Sequence, residues 1–334
     1  MANRGISLTI YHGTECVAER DTDEVLWTHR YAKSGDFTIR TYPTDDAITT
    51  YRIGSIIVSD PIYAVGIVEA IDITETQMKI RGRTADCILE RRVYEKTSVF
   101  SGKAKSILSG LMTRFTGGRA LPVTIEGDAP EVSVNFQKTG ATILDVLQAV
   151  CEQTGIGYSV SYAPDTGTFT ITTKIGEDKT NLVFSPEYDN LTNPFYQSDI
   201  ATYGTTAYVA GEGEGEARTV VTAGDSTKSG LERFEIYIDA RGDQKTDGQT
   251  HSSYESQLKA TGTEELKNRG VSEGMCGDIV TSGGQYEYGV DYSLGDTIKA
   301  EYRQWGVQTA TYTVTEVEES QTASGYFVTP TFNK

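Results

Sequence analysis

From residue 6 to about residue 94 the chain alternates apolar and polar side chains over short stretches. Ile6, Leu8 and Ile10 alternate with polar neighbours, as do Phe37 and Ile39 in GDFTIRTY. The runs 25–30, 55–60, 63–74 and 77–83 have the same character, and turn signals at 21–24, 33–36, 43–46 and 60–61 separate them. A period of two, broken at Gly, Pro, Asp and Ser, predicts short strands. So many of them at this spacing predict an antiparallel barrel or sandwich.

At about residue 101 the period lengthens. Ile107, Leu108, Leu111, Met112 and Phe115 fall on one stripe of a helix over 103–116, which Gly117 and Gly118 end. A second helix is expected in ATILDVLQAVCEQTG (141–155). Thr142 and Asp145 offer a capping pattern, Ile143, Leu144, Leu147, Val150 and Cys151 an apolar face, and Gly155 the stop. Tyr158, Val160 and Tyr162 then alternate, PDTG turns the chain, and Phe169 and Ile171 alternate back as a hairpin.

Strands resume at 182–187, 200–211, 217–224 and 231–239, and again at 297–302, 309–317 and 326–332. Between them a polar stretch holds one helix near 254–269 with Leu258 and Leu266. The pattern divides the chain into a β domain over 1–100, a small α+β domain over 101–180 and a second β domain over 181–334. A helical insertion interrupts the last at about 242–274. The fold class is mainly β (α+β).

Composition agrees: 45 threonines, 34 glycines and 20 tyrosines against 10 phenylalanines suit half-buried pleated surfaces with glycine at the turns. The formal charge of −17 argues against a surface that grips nucleic acid or anionic lipid, since both need Lys and Arg in excess. It is uneven, with 21 acidic and 18 basic residues over 1–176 but 26 and 12 over 177–334. No apolar run approaches the roughly 20 residues that span a bilayer. MANRGISLTIY lacks the basic start, apolar core and cleavage site of a signal peptide, so synthesis in the cytoplasm is expected. Cys16, Cys87, Cys151 and Cys276 lack CxxC spacing, and His12, His29 and His251 lie far apart. Free thiols are expected and no zinc site.

No catalytic, cofactor-binding or metal residue is assigned. GEGEGEAR (211–218) lacks the third glycine spacing of a dinucleotide loop, its three glutamates repel phosphate, and a strand follows instead of a helix; it reads as a flexible acidic loop. DARGDQ (239–244) only faintly echoes a calcium loop. The clusters Asp21/Asp23/Glu24, Asp45/Asp46, Glu264/Glu265 and Glu316/Glu318/Glu319 are sequence neighbours, not carboxylates opposed across a cleft, and Glu316 with Glu318 reads as a solvated edge. Tyr286, Tyr288, Tyr292, Tyr302, Trp305 and Tyr312 crowd the last segment, where they serve as core filling with subunit contact or, if exposed, as a binding face.

The order of these segments resembles the hub proteins at the tip of phage tails: siphophage tail-tip hubs, similar to the N-terminal region of tail-associated lysins, and the baseplate hubs of contractile tails and tailocins. Carrying the likeness are GDFTIR (35–40), RGRTADCILERRVY (81–94), SILSGLM (106–112) and GATILDVLQAVCEQTGIGYSVSY (140–162). VFSPEYDNLTN (183–193), YVAGEGEGEAR (208–218), LERFEIYID (231–239) and YSLGDTI (292–298) follow in the same order. The resemblance implies two β-barrel domains per chain and a homotrimeric ring whose six barrels meet a hexameric tail tube, adapting sixfold to threefold symmetry. It implies a structural virion protein without cofactor or enzymatic activity. Its partners would be itself, the tail tube or distal tail protein, the tape-measure protein and receptor-binding or tail-fibre proteins, with DNA only as transiting cargo. Lytic or receptor-binding parts follow the hub in such proteins, and the chain ending at Lys334 is expected to leave them elsewhere. The competing readings are a cell-wall hydrolase and a carbohydrate- or receptor-binding β module.

Overall fold

The computed structural model describes residues 5–21, 24–246, 248–279 and 285–334. Asp23 and the middle of the expected 21–24 turn lie outside them. Seven strands come first: β1 (Ser7–His12), β2 (Glu15–Asp21), β3 (Glu24–Arg30), β4 (Asp36–Thr41), β5 (Ile56–Asp60), β6 (Ala64–Ile73) and β7 (Met78–Thr84). Their inward side chains, among them Leu8, Ile10, Val25, Trp27, Phe37, Ile39, Ile57 and Ile80, form one core with Ile6 just before β1. Phe37 stacks on Trp27 with ring centroids 4.6 Å apart. Gly66 and Gly82 stand where any Cβ would overlap the Phe37 ring, which explains a glycine between Arg81 and Arg83 in mid-strand.

The expected turn at 43–46 is instead the start of a short helix, α1 (Asp45–Thr50). The Thr44 hydroxyl accepts from the Ala47 N–H at 3.1 Å, and Asp45 and Asp46 sit in the first turn, where the helix dipole favours negative charge. Ala47 and Tyr51 enter the strand core. Six residues are too few to display a helical period beside a Pro-Thr-Asp-Asp string.

The next segment holds β8 (Ser98–Lys103), α2 (Ala104–Gly110), β9 (Val123–Gly127), β10 (Ser133–Lys138), α3 (Ile143–Thr154), β11 (Gly157–Ala163) and β12 (Thr168–Lys174). The second helix forms as its sequence dictates: the Thr142 side chain accepts from the Asp145 N–H, the Asp145 carboxylate accepts from the Thr142 N–H at 2.7 Å, and Gly155 closes the helix at φ 69°. The first is shorter than the stripe implied. Lys103 gives it no side-chain cap, Gly110 weakens its end, and the chain continues through turns that still bury Leu111 and Phe115. The helices α2 and α3, the β9–β12–β11 sheet and Ile56, Val65 and Ile67 of the preceding strands share a single core.

Of the remaining strands, β13 (Asp178–Phe184), β14 (Leu191–Asp199), β18 (Ser272–Ile279), β19 (Thr297–Tyr302), β20 (Val307–Thr322) and β21 (Gly325–Asn333) extend the first sheet. Its order is β14-β18-β21-β20-β3-β4-β7-β6-β5-β1-β2, with β19 pairing β20 and β13. The pivot is β3, bonded to β4 on one side and to β20 on the other, Val25–Arg30 lying opposite Glu316–Gln321. Among the described residues the 13 strands form one open, mainly antiparallel sheet, an 11-strand path with β19 and β13 branching from β20, and not two closed rings.

Two compact units result. One comprises Met1–Phe136, Gly140–Phe195 and Met275–Lys334; the other Gln137–Thr139 and Tyr196–Gly274. The second unit is wider than the helical insertion expected at 242–274. Among the described residues its strands β15 (Thr206–Ala210), β16 (Val220–Gly224) and β17 (Glu235–Asp239) pair only with each other, and α4 (His251–Lys267) packs on them. Tyr254, Leu258, Gly262 and Leu266 recur every fourth residue on that helix, and Gly262 has room for no side chain against Val209 and Ala223. These strands alternate like those of the main sheet, so their pattern alone does not show which sheet they join.

Candidate functional site

The β3–β20 pairing places different chemistry on the two faces of the main sheet. On the core face, Trp27 stacks on His29, whose Nε2 lies 3.4 Å from Oε2 of Glu319; the Tyr326 hydroxyl donates to the other Glu319 oxygen at 2.9 Å. Both His29 and Glu319 are buried. On the opposite face Glu318 lies across from Thr329 on one side and Thr28 on the other, and Thr28 across from Asp36. Directly opposed residues share a face. Thr329 donates to Asp278 at 2.6 Å, and Arg30 reaches both Asp36 and Glu316 at 2.7 Å. Burial raises the Glu318 carboxyl above its ordinary pKa, and Glu316, Asp278 and Asp36 add like-charge repulsion. Glu316 and Glu318 therefore lie in an inner strand, not on the solvated edge their spacing implied.

The first unit is tied together at Tyr31, just past β3. Its hydroxyl stands 3.2 and 3.3 Å from the carbonyls of Gly155 and Lys174 and accepts from the Gly176 N–H at 3.0 Å. Its backbone joins Thr315 and Tyr158, each at 3.1 Å. Gly157 and Gly295 leave the ring its space. Beside it the fully buried Asp86 accepts from Ser34 and Tyr158 through one oxygen, both at 2.7 Å, while the other oxygen has no partner. Desolvation pushes the Asp86 carboxyl up to about 6 despite these bonds. Sequence reading missed both Tyr31 and Asp86, since nothing local distinguishes them from other strand-end residues.

The remaining candidates separate. Asp46 pairs with Arg20, and Glu265 with Arg269 one turn along α4. The GEGEGEAR loop joins β15 to β16; Arg218 closes it by donating to the Ala210 and Gly211 carbonyls and pairing with Asp239, so the second unit's loop and DARGDQ are one bonded structure. His12 contacts the Thr50 carbonyl at 2.9 Å, and His251 faces Glu255 on α4. All four cysteines are free, and among the described residues no group of three or more His, Cys, Asp and Glu is placed to hold a metal ion. Of the late aromatics, Tyr292 and Tyr312 are core; Tyr286 and Tyr292 meet Phe184 edge-on, and Trp305 packs on Tyr302 yet stays half-exposed. The cluster is thus divided between packing and surface. No described helix is long and apolar enough to cross a membrane.

Comparison with known proteins gives the arrangement a context. The model of the Siphovirus ReqiPepy6 Gp37-like protein family matches residues 17–333. No curated protein matches by sequence. Among solved structures, a tail protein from Neisseria meningitidis MC58 superposes with a TM-score of 0.58 at 13% identity, covering 99% of this chain and 97% of that one. The 43 kDa tail protein of prophage MuSo2 from Shewanella oneidensis gives 0.58 at 12%, over 98% and 97%. Prophage tail protein gp18 from Listeria monocytogenes EGD-e gives 0.54 at 11%, over 97% and 94%. At such identity the likeness is one of fold, and it runs nearly end to end in both chains.

Proposed function

The chain belongs to the Siphovirus ReqiPepy6 Gp37-like protein family, and on that premise we propose that it is the structural hub at the tip of a phage tail. The observation that carries this reading is the fold shared with phage tail proteins over 94–99% of both partners. Three copies form a ring on the tail tube, and each contributes two barrel-like regions, one around β1–β7 and one around the final strands, so that six meet a sixfold tube. The domains in this reading are 1–100, 101–180 and 181–334. Its partners are further copies of itself, the tail tube or distal tail protein, the tape-measure protein and receptor-binding or fibre proteins; DNA passes through without being held. The face bearing Asp36, Asp278, Glu316 and Glu318 supplies acidic channel wall, where repulsion keeps DNA from adhering.

The chain's work is assembly, with no catalytic step. Mass determination of purified tails, with images of tails labelled for this chain, tests the reading: three copies at the distal tip are expected. A stable monomer that never joins a tail would overturn it. So would clearing of cell-wall suspensions abolished by one Asp or Glu substitution.

A further inference from the structure

Within the first unit, the end of β3 and the turn after it, the β5–β6 connection, Thr84, the middle of β11, the end of β12 and the 288–294 loop line a half-open cavity of about 250 Å³. Its wall carries His29, Arg30, Lys33 and Lys174 and, among the described residues, not one aspartate or glutamate, in a chain with 47 acidic residues against 30 basic ones. Tyrosine rings and aliphatic side chains such as Ile62, Val65, Val160 and Leu294 complete it.

Of the three cationic side chains, Arg30 pairs with Asp36 and Glu316, and the imidazole of His29 faces Glu319. Lys33 and Lys174 have no carboxylate within 4 Å among the described residues. Asp296 attracts Lys174 from beyond that distance, and its two oxygens already accept from the Glu177 and Ser293 N–H groups at 2.8 Å. Lys174 is partly buried, and desolvation lowers its pKa. An ammonium withdrawn from water without a counter-charge is unfavourable, and an anion beside it offsets that cost.

We propose that this cavity binds a small organic carboxylate, with its charge held by Lys174 and Lys33 and its body against the tyrosine and aliphatic wall. The volume lies below the roughly 300–1,000 Å³ of sites for drug-sized ligands, which limits the guest to about the size of benzoate. The apolar share of the wall favours a carboxylate with a hydrocarbon body over a bare oxyanion.

Calorimetric titration of the full chain with sodium benzoate, its neutral isostere benzamide, and inorganic phosphate tests the site. Saturable binding of benzoate is expected, with benzamide and phosphate much weaker. Lys174→Met keeps the aliphatic stem and should weaken benzoate about tenfold, the loss of one charge-assisted hydrogen bond. Lys33→Ala should also weaken it, and Lys259→Met on α4 should leave it unchanged; circular dichroism checks that each variant is folded. Absence of benzoate binding, equal binding of benzamide, tighter binding of phosphate, or wild-type affinity in both Lys174→Met and Lys33→Ala would each overturn the proposal.

Discussion

Tyr31 occupies the space in front of Gly157, its phenol ring standing where a side chain on that glycine would project. The two are also bonded in sequence register, because the Tyr31 carbonyl accepts from the N–H of Tyr158, the next residue. Gly157→Ala should therefore displace the ring and with it the bonds to Gly155, Lys174 and Gly176. Overpacking of this kind costs about 1–3 kcal/mol. Tyr31→Phe keeps the ring but leaves the Gly176 N–H without its acceptor, a loss of about 1–3 kcal/mol. Urea unfolding of both variants measures the two effects, and the double variant should cost less than their sum, because the displaced ring has already lost the hydroxyl's bonds.

Asp86 makes stability depend on pH in a stated direction. Its carboxyl titrates at about 6 in the folded chain, above its ordinary value of 3.8, so the folded state holds the proton more tightly than the unfolded one. Its contribution is fully favourable below about pH 4, declines as pH rises towards 6, and is flat above that. The amplitude is at most about 3 kcal/mol for a shift of this size. Unfolding free energies of the wild type and Asp86→Asn from pH 4 to 7 should differ by a curve of that shape. A difference independent of pH would show that Asp86 does not titrate in this window.

The buried His29–Glu319 pair should behave asymmetrically. His29→Leu takes away the partner of Oε2 on the buried Glu319 while Oε1 keeps the Tyr326 hydroxyl, and leaving a buried acceptor unsatisfied costs about 1–3 kcal/mol. His29→Leu with Glu319→Leu removes both polar groups and should recover much of that loss. Thermal and chemical denaturation of the two variants give the comparison.

At the start of α3 the reciprocal Thr142–Asp145 cap should be worth about 1 kcal/mol on either side, read by Thr142→Ala and Asp145→Ala. Each substitution removes the same two-way arrangement, so the double variant should cost little more than one of them.

What the sequence showed and what it concealed follow from the range of the interactions. The α3 cap, the Gly155 stop, the 158–171 hairpin and most strands of the main sheet are set by neighbours a few residues apart, and they were legible. So was the likeness to the fold of phage tail proteins, carried by the order of the motifs. The pairing of β3 with β20, the segregation of β15–β17 into a unit of their own and the cavity wall are set by partners far along the chain. Alternation reports that a strand has a buried face, not which strand lies beside it. Lys33 and Lys174 could not be linked before the fold brought the ends of β3 and β12 together.

His29 and Glu319 meet in the middle of the main sheet although 290 residues separate them in the chain. Translation proceeds at about 5–20 residues per second, so β3 leaves the ribosome some 15–60 s before the strand that completes its pairing exists. During that interval β3 presents an open edge, a template for strands of other nascent chains. Sheet completion is therefore a late event in this protein's synthesis, and the yield of folded chain should depend on keeping the early strands apart until β20 arrives.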